Sequence, residues 1–317
     1  MLLGRALRQT SLRCRPYSTQ ADLKPVPILP DLDLETFRNH AFLPATPALL
    51  PRKAFKALPA HRNWFAKSGD GSTLNHAYLA RFGSTIVPLE ISNDEQFTRI
   101  EQSLSFFLEC VHAASSTYRP APQRYFSAYV PNARAVHKTT ESNDFFSAAP
   151  VTPPTAKFYL AQAPIADLPQ ALRDDVPAPE LVRKAGKGDV YDSSIWLGQA
   201  PTYTPLHRDP NPNLFVQLAG RKVVRLFRPE TGAAIFAAVQ EQIGGRASAT
   251  MRGEEMMQGE EKNALEKEVW GESRQTKATG WEAELGAGDG LFIPKGWWHS
   301  VKGMGSGMNG SVNWWFR

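Results

Sequence analysis

The sequence predicts a mainly β protein with flanking helices, and three observations carry that expectation. From residue 123 onward, short β-prone runs recur at 125–130, 156–162, 189–197, 203–209, 214–218, 222–227, 281–285, 290–293, 299–302 and 310–316. Proline and glycine punctuate them, and many short strands with turn signals point to an antiparallel sandwich or barrel. A double Greek-key jelly roll is among the solutions. Helical periodicity is confined to a few stretches, chiefly 94–114 and 231–243. The 317 residues accommodate one large β-rich domain with attachments, or two domains.

Residues 1–20 stand apart. Arg5, Arg8, Arg13 and Arg15 alternate with leucines, and the first acidic residue is Asp22. An acid-free, Arg- and Ser-rich start of this kind resembles a mitochondrial transit peptide, so a matrix location is expected, with processing near Tyr17 or Ser18. Without those four arginines the formal charge falls from +5 to +1. A nearly neutral body has no general electrostatic footprint for a polyanion. No apolar run approaches the roughly 20 residues that span a membrane. Two cysteines, Cys14 and Cys110, give neither a disulfide framework nor a thiolate metal site.

The segment 21–122 reads as an N-terminal wrap with helical support. Its first part is proline-rich extended chain with a helical turn at 34–42. A strand at 84–91 ends at Ser92, which with Glu95 forms a capping-box pattern. Behind it Phe97, Ile100, Leu104, Phe107, Leu108 and Val111 recur at helical spacing, predicting one amphipathic helix over 94–114. Residues 123–317 form the β core, interrupted by a polar insertion at 230–280. Within that insertion 231–243 reads as helix and the remainder as solvated surface loop. Gly220-Arg221 and 286–290 both carry the signature of tight hairpins.

The chemistry concentrates in two stretches of the core. His207 and Asp209 lie two apart in a β-prone run, so both side chains point to one face. His299 follows the turn-forming run 293–298 and supplies a third donor if its strand lies beside the first. Two imidazoles and one carboxylate on one face suit a non-haem ferrous ion, with positions left open for reactants. Asn213, Phe215 and Gln217 alternate on one strand face, Lys222 follows the glycine turn, and Asn313 sits in the closing strand. Trp297, Trp298, Trp314 and Trp315 read as core and rim aromatics.

Together these segments resemble the cupin-type JmjC family of Fe(II)- and 2-oxoglutarate-dependent oxygenases, nearest to its small protein-hydroxylase members. The likeness rests on Trp196-Leu197-Gly198, Thr204-Pro205-Leu206-His207-x-Asp209, Asn213-Leu214-Phe215-x-Gln217, Gly220-Arg221-Lys222, Gly288-Asp289-x-Leu291-Phe292-Ile293-Pro294-x-Gly296-Trp297-Trp298-His299 and Val312-Asn313-x-Trp315. It covers roughly residues 159–317.

The resemblance implies a double-stranded β-helix, the jelly roll of cupin and JmjC proteins. It implies Fe(II) on His207, Asp209 and His299, and 2-oxoglutarate as cosubstrate. Lys222 is the match for the cation that takes the distal carboxylate, with hydroxyls from Thr204 and Tyr159 beside it. Asn213 and Asn313 match polar residues around the cosubstrate. The activity implied is hydroxylation, coupled to decarboxylation of 2-oxoglutarate, of a side chain on a mitochondrial protein. Hydroxylation of an RNA base is a second enzyme reading, disfavoured by the neutral body. A non-catalytic cupin-like scaffold, and a cupin using manganese or zinc, are readings from other classes. Demethylation of histone lysine is disfavoured by the leader. The oligomeric state is left open.

Overall fold

A computed structural model of the chain describes residues 23–69, 71–93, 97–115, 156–245, 257–271 and 278–317. The leader at 1–20 and the strand expected at 125–130 lie outside these residues. Among the described residues no helix is long and apolar enough to cross a membrane.

The N-terminal wrap contributes β1 (Leu23–Pro25) and β2 (Ala48–Leu49). Between them Leu34–Phe37 and Arg38–Phe42 are continuous helical turns. Asp33 caps the first, its carboxylate accepting the N–H groups of Glu35 and Thr36 at 2.9 and 3.0 Å. β3 (Phe65–Ser68) and β4 (Gly71–Leu74) make a separate hairpin. β5 (Ile86–Ser92) and β6 (Phe97–Ser103) then pair antiparallel, and helix α1 (Leu104–Ser115) follows. The second half begins with β7 (Lys157–Pro164), β8 (Val190–Gln199), β9 (Thr202–Arg208), β10 (Asn213–Ala219) and β11 (Arg221–Phe227). Helices α2 (Pro229–Gln242) and α3 (Gly259–Trp270) come next. β12 (Gly280–Leu285), β13 (Gly290–Ile293), β14 (Trp298–Met304) and β15 (Met308–Phe316) close the chain.

These strands build two facing sheets. One has the order β1-β12-β11-β14-β9, the other β2-β13-β10-β15-β8-β7-β5-β6. From β8 to β15 the chain supplies four strands to each, passing between them at β8–β9, β9–β10, β10–β11, β12–β13, β13–β14 and β14–β15. That traffic is the jelly roll expected from the sequence. β1 and β2 extend the two sheets at one edge each, and β7, β5 and β6 widen the larger sheet at the other.

Three apolar layers hold the arrangement together. β10 is buried along its whole length because both of its faces are covered. Leu214, Val216 and Leu218 face outward onto Phe37, Leu50, Trp64 and Phe107 of the N-terminal half. Phe215 faces inward, into a cluster with Val224, Leu226, Leu285, Leu291 and Trp297 between the sheets. A third cluster seats α2 and α3 on the smaller sheet, with Ile235, Phe236, Leu265 and Val269 against Leu206, Phe227 and Trp298.

Three expectations are corrected here. The single helix over 94–114 is instead β6 followed by α1; residues 94–96, including the Glu95 of the capping pattern, lie outside the described residues. Phe97 and Ile100 do fit a helical period, but seven registered pairs along β5 outweigh that local signal. The remaining part of the pattern survives, with Leu104, Phe107, Leu108 and Val111 buried on one face of α1. Cys110 is buried among them, and burial pushes its thiol up to about 12, which suits a structural thiol.

The two glycine turns are not hairpins. β10 and β11 lie in different sheets, as do β12 and β13, so each turn carries the chain across the sandwich. Gly220 (φ +70°) makes the first crossing against the Asn309 side chain, where a Cβ would come within 2.6 Å. The insertion is not wholly solvated loop either: α3 buries Leu265 and Val269 on α2 and the sheet, while 246–256 and 272–277 lie outside the described residues.

Candidate metal centre

β9 and β14 run antiparallel with His207 directly opposite His299. Their rings are 4.2 Å apart between centroids. Asp209 follows the end of β9, and its backbone carbonyl accepts the N–H of Gly296 at 3.1 Å, tying it to the turn before His299. Asp209 Oδ2 lies 3.7 Å from His299 Nε2, and Oδ1 lies 4.0 Å from His207 Nε2. One donor atom from each residue falls within 4.8 Å of the others.

The tautomers suit a metal. His207 Nδ1 is 2.8 Å from the Pro205 carbonyl and His299 Nδ1 is 3.2 Å from the Trp297 carbonyl. A carbonyl only accepts, so each Nδ1 donates to it, and in the neutral imidazole a metal requires this leaves the Nε2 lone pair on the side of Asp209. Burial, with His207 alongside, pushes His299 down to about 4, against the opposing pull of Asp209. Burial works to raise Asp209, but His299, His207 and the N–H groups of Trp315 and Asn213 outweigh it and hold the carboxyl below its usual range. Neutral imidazoles beside an ionised carboxylate are the donor set of a borderline divalent cation such as ferrous iron.

A bulge brings Thr204 to the same cavity. The four residues of β9 from Thr204 to His207 face the three of β14 from His299 to Val301. In a regular strand Thr204 and His207 would point to opposite faces, and the extra residue cancels that alternation. Thr204, His207, His299 and Val301 therefore line one inner cavity of about 50 Å³.

Lys222 enters that cavity from β11. It is 3% exposed, and its ammonium meets two hydroxyls, Ser311 Oγ at 2.8 Å and Tyr159 OH at 3.5 Å, with the Phe215 ring 5.3 Å away. Among the described residues no ion pair joins it to a carboxylate. Burial alone pushes it down to about 7. The same burial, with Glu90 nearby, pushes the Tyr159 hydroxyl up, so it stays a neutral hydroxyl whose oxygen accepts from Lys222. The Tyr159 ring fits because Gly198 lies opposite on β8; a Cβ there would come within 2.0 Å of the ring.

Asn213 and Asn313 complete the polar wall. Asn213 Nδ2 donates to Asp209 Oδ2 at 2.9 Å, and Asn313 Nδ2 donates to Asn213 Oδ1 at 3.0 Å. The inner cavity opens into an outer cleft of about 310 Å³, and Tyr159, Trp196, Thr204, His207, Asp209 and Trp315 line both. Met257, just before α3, reaches the rim of that cleft.

All eight candidate residues thus surround one cavity, and two further ones join them. Trp297, Trp298 and Trp314 are buried in the apolar clusters, as expected, but Trp315 donates its indole N–H to Asp209 Oδ2 at 2.8 Å. Ser311, bonded to Lys222, is the second. The available signal was parity: Ser311, Asn313 and Trp315 are spaced by two on β15 and share a face.

Comparison with known proteins agrees with this geometry. The model of the cupin-like domain family matches residues 35–317. Lysine-specific demethylase JMJ30 of Arabidopsis thaliana is 26% identical over 287 residues, covering 90% of this chain and 53% of that protein. JmjC domain-containing protein D of Dictyostelium discoideum is 25% identical over 284 residues, covering 86% and 52%. Lysine-specific demethylase 8 of Danio rerio is 28% identical over 160 residues, covering 50% and 36%. The chain spans about half the length, or less, of these curated relatives. With a jelly roll, a convergent His-Asp-His cluster and a family match over most of its length, the chain belongs to the cupin-like JmjC family.

Proposed function

We propose that this chain is an Fe(II)- and 2-oxoglutarate-dependent dioxygenase that hydroxylates a side chain of a mitochondrial protein. The observation that carries the reading is the convergence of His207 Nε2, His299 Nε2 and an Asp209 carboxylate oxygen on one centre. Those three residues would hold the iron. Proteins of this family use Fe(II) and 2-oxoglutarate, which supply oxygen activation coupled to decarboxylation to succinate and carbon dioxide.

The chain's own residues do the binding and positioning. Lys222, a buried ammonium whose hydrogen-bond partners among the described residues are two hydroxyls, offers the distal carboxylate of the cosubstrate a charge-assisted bond. Thr204 and Tyr159 stand on the same cavity wall, and Asn213 holds the orientation of Asp209. Trp196, Trp315 and Tyr159 form an apolar throat between inner cavity and outer cleft, which limits water at the reacting centre. The cleft beyond admits a side chain presented by a larger substrate. The acid-free leader supports a mitochondrial location.

The names of two relatives favour a second outcome, demethylation of a lysine side chain, through the same oxidation at an N-methyl carbon. One experiment tests both. Purified protein with Fe(II), ascorbate and 2-oxoglutarate is expected to form succinate slowly, and His207→Ala to abolish this. Partners trapped by His207→Ala are then treated with active protein and weighed: gain of one oxygen marks hydroxylation, loss of a methyl marks demethylation. A properly folded protein that makes no succinate under any metal condition would overturn the oxygenase reading and favour the scaffold.

A further inference from the structure

Taking His207, Asp209 and His299 as metal ligands, as proposed above, we infer that Trp315 is a positioning residue that makes Asp209 a one-oxygen ligand. Oδ2 of Asp209 accepts two N–H groups, the Trp315 indole at 2.8 Å and the Asn213 amide at 2.9 Å. A carboxylate oxygen has two in-plane lone pairs, so both on Oδ2 are engaged. Oδ1 accepts no hydrogen bond among the described residues and lies 4.0 Å from His207 Nε2. Oδ1 is the oxygen with lone pairs left to give.

The clamp is built across the sandwich. His207 and His299 stand on β9 and β14 of the smaller sheet, whereas Asn213 and Trp315 stand on β10 and β15 of the larger. Asp209 is pinned between them. An ionised carboxylate donates nothing, so the Asn213 amide must turn its nitrogen to Asp209. Its oxygen then faces the Asn313 nitrogen at 3.0 Å. Among the described residues Asn313 Oδ1 is buried with no hydrogen-bond partner.

The consequence is for the metal's free positions. A carboxylate binding through both oxygens would occupy one of the sites that two histidines and one carboxylate leave open for reactants. With Oδ2 committed to Trp315 and Asn213, that mode is closed.

Co(II) serves as the probe, added anaerobically to the full-length protein and read by its visible absorption and by titration. Trp315→Phe keeps a ring and deletes the N–H. It is expected to weaken Co(II) binding by roughly 10-fold, the lower end for loss of a partner behind a ligand, and to alter the position and intensity of the bands. Trp314→Phe, a neighbouring indole packed on the opposite face in the core, is expected to keep the wild-type spectrum whatever its thermal stability. If Trp315→Phe does not fold, Asn213→Ala removes the other donor and is read in the same way. A folded Trp315→Phe with wild-type affinity and spectrum overturns the clamp and leaves the metal centre standing. Wild-type protein that binds no Co(II), or binds it equally after His207→Ala, overturns the metal centre and the clamp with it.

Discussion

Among the described residues two carboxylates, the buried Asp175 and the partly buried Asp209, are held by indole N–H groups, and they do opposite work. Asp175 accepts Asn63 Nδ2 on one oxygen at 2.6 Å, and Trp64 Nε1 and the Tyr78 hydroxyl on the other at 2.7 and 2.6 Å. Both oxygens are engaged, and they join two helical turns of the N-terminal half, Ala60–Asn63 and His76–Leu79, to the chain around 175 in the second half. Burial and the bond to Asp175 push Tyr78 up to about 12, which keeps its proton in place as a donor. Asp209 receives the same kind of support on one oxygen only, and its other oxygen faces an imidazole lone pair. A saturated carboxylate fastens chain to chain. One left half-satisfied beside two Nε2 atoms is a ligand in waiting.

The sharpest way to break this contrast is Asp209→Asn. Its carbonyl oxygen can still accept from Trp315 and Asn213, so the fold is expected to hold, with Tm moving by less than about 3 °C, the equivalent of roughly 1 kcal/mol. Its NH₂, however, faces the imidazoles with a donor where a metal needs a lone pair. Mn(II) affinity measured by calorimetry is expected to fall by more than the roughly 10–100-fold typical of losing an outer partner. Retained Mn(II) binding would make Asp209 another Asp175.

The converse substitution is Asp175→Ala. It strands an indole N–H, a phenol and an amide, of which Trp64 is fully buried and the other two partly so. At about 1–3 kcal/mol for each unsatisfied buried group, and less for the wetter ones, urea unfolding is expected to show a loss of about 3 kcal/mol. Mn(II) affinity should stay at the wild-type value. A drop in metal affinity without loss of stability would erase the division of labour between the two sites.

Much of this was legible in the sequence, and the reasons differ by element. His207 and Asp209 declared themselves through parity, because strand side chains two apart share a face. The cavity face of β15 is equally open to that reasoning, but nothing local marks Trp315 as more than a core or rim aromatic, because its partner lies 106 residues away. Thr204 reaches the cavity only through the bulge opposite His299 and Val301, which no local pattern announces. Gly220 and the 286–290 turn show why pairing is harder than punctuation: a tight glycine turn has one local chemistry whether the next strand returns beside the last or crosses to the other sheet. α3 hid because Leu265 and Val269 are its main buried apolar residues in a largely charged segment.

Lys222 tests the comparison from the cation side through pH. Its folded value, lowered by burial from 10.5 to about 7, lies below its unfolded one, so between them the unfolded chain binds more protons. Stability contributed by this group therefore rises with pH through that window. Measured as wild type against Lys222→Met without cosubstrate, the deficit of wild type should shrink between pH 7 and 10. Binding of 2-oxoglutarate needs the ammonium, so its affinity should fall above pH 7, approaching tenfold per pH unit. A flat profile would mean that a carboxylate already neutralises Lys222, as Asn63, Trp64 and Tyr78 satisfy Asp175.

The smallest effect separates the two hydroxyls that face Lys222. Ser311 Oγ at 2.8 Å makes a full hydrogen bond, whereas Tyr159 OH at 3.5 Å sits at the limit of one. Hydrogen bonds to charged groups contribute about 1.5–3 kcal/mol, and a lysine close to half-neutral at pH 7 realises only part of that. Ser311→Ala is expected to destabilise the protein by about 1 kcal/mol in thermal unfolding, and Tyr159→Phe by less than about 0.5 kcal/mol. Saturating 2-oxoglutarate gives the ammonium a stronger partner than either hydroxyl, so the Ser311→Ala deficit should narrow when it is added. A deficit unchanged by the dicarboxylate would place its distal carboxylate away from Lys222. The inner cavity would then hold the lysine for structure alone.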